Sequence, residues 1–191
     1  MIVLGKNAYV FDAIPYRTCD VLPFDPGLGV SEKVPIVDAA VAYDCPFTHK
    51  TFILVFRDAL HVKSLDHNLM PPFILREAGL VVNEAAKMHC QEPTKRDHAI
   101  IAEEYDLLIP LQLNGIFSYF HTRKPSNDDI ENGVIIPFTP DTAEWDPYSN
   151  NFEAQEESMT DWNGEINPHP RKRTRTEPTL YDWDIYEHDI E

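Results

Sequence analysis

The densest apolar patterning in the chain runs from Val34 to Leu80 and predicts the central elements of the fold. From Thr51 to Val62 the residues are rich in β-branched and aromatic side chains. Phe52, Leu54 and Phe56 fall on one face of an extended strand and Ile53, Val55 and Arg57 on the other. A strand apolar on both faces for most of its length belongs inside a sheet. Upstream, Val34, Ile36, Ala39, Val41 and Tyr43 alternate less regularly, and Asp44-Cys45-Pro46 has the residues of a turn. The two segments are therefore expected to form a hairpin with a polar tip. Pro71-Pro72 can open a helix but not sit inside one, so Phe73 to Leu80, with Gly79 near its end, is expected to be a short helix with a glycine stop.

The remaining elements are shorter. Ile2 to Leu4 is a buried strand candidate stopped by Gly5, and Ala8 to Phe11 fits either a strand of the same sheet or a helical turn. Val21 to Val30 holds two prolines and two glycines and is expected to be a turn-rich connection, with Asp25-Pro26-Gly27 a turn. Val81 to His89 either extends the helix or forms a small strand; Cys90 to His98 is a loop. Leu107 to Phe120 is expected to be a second hairpin, its apolar arms meeting at Asn114-Gly115. Ser126 or Asn127 is placed to cap a brief helix at Asp128 to Glu131, and Val134 to Ile136 forms a last strand ended by Pro137. The fold class that follows is mainly β: a small β-domain with one or two short helices over residues 1–149. Residues 150–191 are expected to be an acidic tail too polar to offset its own ordering entropy.

Charge sharpens that division. From Pro140 to Glu191 there are 14 Asp and Glu against 4 Lys and Arg, a net of −10 out of −16 for the whole chain. So acidic a surface repels phosphates, and wholesale nucleic-acid binding is not expected. Cys19, Cys45 and Cys90 are odd in number and irregularly spaced, which fits neither a disulfide framework nor a CxxC metal site, so reduced thiols in the cytoplasm or nucleus are expected. No segment reaches transmembrane length, and the first residues lack a signal-peptide cleavage pattern.

Three segments in order carry a resemblance: VLGKNA at Val3–Ala8, VPIVDAAVAYDCPFTHKTFILVFRDALHV at Val34–Val62, and LDHNLMPPFILREAGL at Leu65–Leu80. They resemble the retropepsin-like protease region of copia-type LTR retrotransposon polyproteins. PLQLNGIFSYFHTRKPSNDDIEN and AEWDPYS, the latter at Ala143–Ser149, look like the continuation of that region. The resemblance implies an aspartic peptidase (acid-protease) β-domain that pairs with a second copy, each subunit giving one Asp from an Asp-Thr/Ser-Gly-Ala motif. Two such carboxylates share one proton because like charges that close cannot both ionise; the ionised one then activates water. The implied substrate is the element's own polyprotein, and no cofactor is called for.

The family's triplet lies a few residues before the hydrophobic-hydrophobic-Gly matched by Val3-Leu4-Gly5, and this sequence contains no Asp-Thr-Gly or Asp-Ser-Gly. None of Asp12, Asp20, Asp38, Asp44, Asp58 and Asp66 is followed by the required residues, and in Asp25-Pro26-Gly27 the proline supplies neither hydroxyl nor N–H. No catalytic residue carries over. The expectation is a domain incomplete at its N-terminus, truncated or decayed, without peptidase activity, and a monomer or ill-defined oligomer where the family forms a two-fold dimer. The hairpin from Pro35 to Leu60 is where the resemblance puts the substrate-covering flap.

Other chemistry is thin. His61, His67, His89, Cys90 and His98 match no structural zinc spacing, and solvated carboxylates are the default for Asp128, Asp129 and Glu131. Nothing marks an oxyanion site beside Cys90 with His98 or His61. Arg171, Lys172, Arg173 and Arg175 form a candidate nuclear-localisation signal, against the plainer view of a basic island neutralising an acidic tail. The terminal YDWDIYEHDIE interleaves Tyr181, Trp183, Ile185 and Tyr186 with acids, as docking segments do. Two function classes follow: a peptidase-domain fragment without its Asp, or a non-enzymatic interaction module of retroelement origin that binds itself or a protein partner.

Overall fold

The computed structural model describes residues 1–13, 16–21, 29, 31–140 and 150–167. The chain divides into two units, Met1–Ala143 and Glu144–Glu191. The first is mainly β. Its strands are β1 (Val3–Leu4), β2 (Tyr9–Asp12), β3 (Thr18–Val21), β4 (Ser31–Asp44) and β5 (Thr51–His61), followed by helix α1 (Pro72–Glu77). Then come β6 (Val81–Asn83), β7 (Ala99–Ala102), β8 (Leu107–Pro110), β9 (Gln112–Asn114), β10 (Phe117–Tyr119), helix α2 (Asn127–Asn132) and β11 (Val134–Pro137).

The hairpin of β4 and β5 is the centre of the main sheet, antiparallel with Tyr43 opposite Phe52 and Val41 opposite Leu54. Phe52 through Phe56 are all buried, as expected for a strand apolar on both faces. At the tip the Cys45 N–H donates to Lys50 O and the His49 N–H to Cys45 O, with His49 left-handed at φ 57°. β2 lies on the outer edge of β4, so Ala8 to Phe11 resolves as strand, and β3 pairs with the N-terminal part of β4. The other edge of β5 carries two parallel strands end to end: β11 opposite Phe52–Val55 and β1 opposite Leu60–His61.

Local chemistry explains the helix ends. Pro71 is extended, Pro72 takes the first helical position, and α1 stops where Gly79 turns left-handed at φ 84°. The Leu80 N–H then reaches Leu75 O and the Gly79 N–H reaches Arg76 O, a Schellman close that satisfies two terminal carbonyls. α2 opens on a capping box in which Ser126 and Asp129 satisfy each other's backbone N–H.

Val81 begins a strand, β6, in a three-stranded antiparallel sheet ordered β6-β7-β8. Here the single hairpin expected over Leu107 to Phe120 is corrected. Its first arm, β8, belongs to that sheet, and a separate two-stranded hairpin, β9 and β10, turns at Gly115-Ile116 with Asn114 paired to Phe117. Pro110 and the Leu111 N–H, which is spent on His98 O, divide the run. β7 was not expected. Ala99, Ile100, Ile101 and Ala102 are buried, but four apolar residues between polar neighbours are too few to display a period.

The second unit departs from the expectation of a tail without regular structure. Asn151–Glu157 is a helix, α3, with no buried residue. After it Thr160 bridges Ile166 around a turn in which Asp161 Oδ1 accepts from the N–H groups of Asn163 and Glu165 at 2.8 and 3.0 Å. Local hydrogen bonding by the Asp161 side chain makes this turn without burial, whereas α3 has no side-chain cap at its N-terminus.

Candidate functional site

β1 is two residues long, yet both of its edges are occupied. On one side the Leu60 N–H donates to Ile2 O and the Val62 N–H to Leu4 O, each at 2.9 Å. On the other, Val3 and Leu69 exchange N–H to O bonds of 3.0 and 2.8 Å. Ile2 and Leu4 are buried beneath this seat. Gly5 closes it: its N–H donates to Asn68 Oδ1 at 2.8 Å, and a Cβ there would stand 2.5 Å from Leu65 O and 2.7 Å from His67 O. Both obstacles are backbone. Gly5→Ala is therefore expected to lose about 1–3 kcal/mol of stability, read from the urea midpoint, and an unchanged midpoint would show that the strap from Leu65 to Leu69 gives way freely.

Between β11 and β1 on the edge of β5 lie Arg57 and Asp58, where the register against β4 shifts and Asp58 is left-handed at φ 52°. The irregularity is filled by polar groups. Asp38 Oδ1 accepts the Asp58 N–H at 2.9 Å, Asp38 Oδ2 faces Arg57 Nη1 at 3.5 Å, and the Arg57 N–H donates to Thr139 Oγ1 at 2.9 Å. Arg17 pairs with the Asp58 carboxylate, and Asp12 lies opposite Asp38 in the register of β2. Burial pushes the Asp38 carboxyl above its ordinary range and Asp12 adds to this, while Arg57 and Arg17 oppose it. Both Asp38 oxygens are engaged, so the group holds the bulge together and is not presented to a substrate.

The other aspartates are likewise structural partners. Asp20 accepts the Lys33 N–H, Asp44 takes Thr51 and Arg123, and Asp66 pairs with Lys6 at the surface. Asp129 is held well below the usual carboxylate range, chiefly by the Arg123 side chain and then by Ser126, so the carboxylates at Asp128 to Glu131 include a helix-capping group. Asp25-Pro26-Gly27, the Ala143–Ser149 stretch, the basic run Arg171, Lys172, Arg173 and Arg175, and the terminal aromatic segment lie outside the described residues.

His61, His67, His89, Cys90 and His98 are not gathered: among the described residues no three His, Cys, Asp or Glu side chains come together as a metal site needs. The Cys90 thiol donates to Ala86 O at 3.9 Å, while His98 Nε2 meets Ser118 Oγ at 2.8 Å. Sequence reasoning did not single out Ser118. His98 is buried, burial and then Lys87 press its pKa down, and its carbonyl takes the Leu111 N–H, so this residue pins the β9–β10 hairpin to the three-stranded sheet.

The segment from Pro35 to Leu60 proves to be the core of the sheet, buried along most of its length. The exposed part of the β3–β4 pair is Ser31–Lys33, while β3 alternates exposed and half-buried residues. No helix among the described residues is long and apolar enough to cross a membrane. No family model matches the chain, and no curated protein or solved structure matches it.

Proposed function

We propose that the first unit is the retropepsin-like domain of a copia-type retrotransposon polyprotein, and that residues 1–191 alone have no peptidase activity. The observation that carries this is the seat of β1. The three segments of the resemblance form one hydrogen-bonded unit in which Val3-Leu4-Gly5, remote in sequence from the other two, lies between β5 and Leu69. Because β1 runs parallel to β5, a segment preceding Val3 would approach Asp58 and Arg57, and a catalytic Asp-Thr/Ser-Gly-Ala would belong there. The arm of β3 and β4 would be the cover, and the substrate a peptide of the same polyprotein.

The test reads the coding sequence upstream of Met1 in frame and assays the chain with and without that extension on polyprotein peptides at acidic pH. An upstream Asp-Thr/Ser-Gly-Ala, with cleavage by the extended chain that is lost when its Asp becomes Asn, is the expected result. Unrelated upstream codons, or an extended chain that cleaves nothing, would set the peptidase aside. One observation favours a second reading, a non-enzymatic interaction module: the β9–β10 hairpin exposes large apolar side chains.

A further inference from the structure

We infer that His98 is an acid-sensitive latch, holding the β9–β10 hairpin against the three-stranded sheet while neutral and letting it swing away once protonated. The residue joins the two sheets. Its Nε2 meets Ser118 Oγ of β10 at 2.8 Å, its carbonyl takes the Leu111 N–H just before β9, and its chain runs on into β7. Each strand of the hairpin has only three residues, and among the described residues no third strand joins either edge. Such a hairpin is marginal in water unless another surface supports it. Its two ends are anchored apart from the His98 ring, by the Leu111 N–H and by Phe120, which lies edge-on to Tyr43 with ring centroids 6.0 Å apart. The hairpin can therefore open in the middle without leaving the domain.

The surroundings decide which charge state latches. Only 4% of His98 is exposed, and its backbone is left-handed at φ 52°, a conformation that persists where neighbours fix it. A proton would put a charge in this place, and the strands of the two sheets offer it no partner: β6 through β10 contain no Asp, Glu, Lys or Arg. Their one titratable side chain, Tyr119, gives its hydroxyl to Gln112 Oε1. In the loop before β7, Asp97 is engaged by Thr94, Arg96 by Glu103 and the Cys90 thiol by Ala86 O, and His89 is exposed. Lys87, on the single turn Lys87–His89, has the sign that repels a proton on the ring. The bond to Ser118 alone would survive protonation, since a hydroxyl accepts as well as donates. The buried charge is what the latched state cannot keep. Opening brings the ring to water, where its proton affinity is ordinary. The latch is therefore full above the ordinary histidine value and weakens as pH falls below it. It is independent of the peptidase reading, which concerns β1 and what precedes it.

Amide hydrogen exchange of the full chain from about pH 8 to about pH 5, corrected for intrinsic rates, tests the latch. Protection at residues 112–119 is expected to fall with acidity, by no more than about tenfold per pH unit because one proton is taken up, while residues 52–56 of β5 keep theirs. His98→Asn removes the titrating group and leaves a residue that tolerates positive φ, so its protection should stay level across that range. Ser118→Ala keeps the ring; its protection should be lower throughout and still fall with acid. In the wild type the His98 ring, followed by nuclear magnetic resonance, should titrate below the ordinary histidine value. Four results would overturn the inference: wild-type protection indifferent to pH, a loss shared equally by residues 52–56, a ring that titrates at or above the ordinary value, or the same acid slope in His98→Asn. Each leaves the peptidase assay untouched.

Discussion

Phe138→Ala is expected to cost about 3–5 kcal/mol, a substantial part of the roughly 5–15 kcal/mol that holds an ordinary domain folded. Phe138 is fully buried, its ring lies edge-on to Phe56 at a centroid distance of 5.6 Å, and its N–H donates to Val55 O at 2.8 Å. The residue lies just past the end of β11, beyond the proline at which the apolar pattern stops. Truncation removes a ring from a site whose walls are paired strands, so little collapse can fill the space. Val134→Ala, at a position 39% exposed on the same strand, is the control and should shift stability by no more than about 0.5 kcal/mol. Urea titration followed by far-ultraviolet circular dichroism measures both. A loss below about 1 kcal/mol for Phe138→Ala would mean that β11 is an accessory strand and not part of the core of β5.

That dependence bears on what the sequence discloses. The β4–β5 hairpin is legible because burial on both faces leaves an uninterrupted apolar record from Phe52 to Val55, and α1 because Pro71-Pro72 and Gly79 punctuate it at both ends. The capping box of α2 is equally local. Partners that are remote in sequence leave no such record. Nothing in Val-Ile-Ile-Pro says that β11 returns to lie parallel to β5, or that β1 and β11 share one edge of it. The run from Leu107 to Phe120 illustrates the same limit: its turn was readable at Asn114-Gly115 to within one residue, while the departure of β8 to pair with β7 depends on a four-residue strand without a visible period.

The candidate site is less legible than the fold. Gly5 reads in sequence as a stop, and only the approach of Leu65 O and His67 O shows that it is also a seat. Thr139 and Asn68 are unremarkable polar residues until their hydroxyl and amide oxygens are found taking backbone N–H groups from Arg57 and Gly5. Asp38 stands in an apolar segment, Val-Asp-Ala-Ala, where a charge is out of place. Its meaning lies in a register shift that no single strand encodes.

Asp38→Ala is expected to cost about 3 kcal/mol at neutral pH, because it leaves the Asp58 N–H without its acceptor in a largely buried place and removes the carboxylate that faces Arg57. Asp38→Asn keeps an amide oxygen for that N–H and should cost much less. The pH dependence then separates burial from ion pairing. Burial raises the Asp38 pKa in the folded chain above its ordinary value, so between the two values the folded state holds more proton than the unfolded one. Stability from this group therefore falls as pH rises through that window, and ionised Asp38 is a net cost above it. Asn has no such slope. As pH rises from the ordinary carboxylate value through the raised one, the wild type should lose ground against Asp38→Asn in urea midpoint. If the wild type gains ground instead, the attraction of Arg57 and Arg17 outweighs desolvation, and the bulge between β11 and β1 is held by an ion pair and not by a hydrogen-bonded carboxyl.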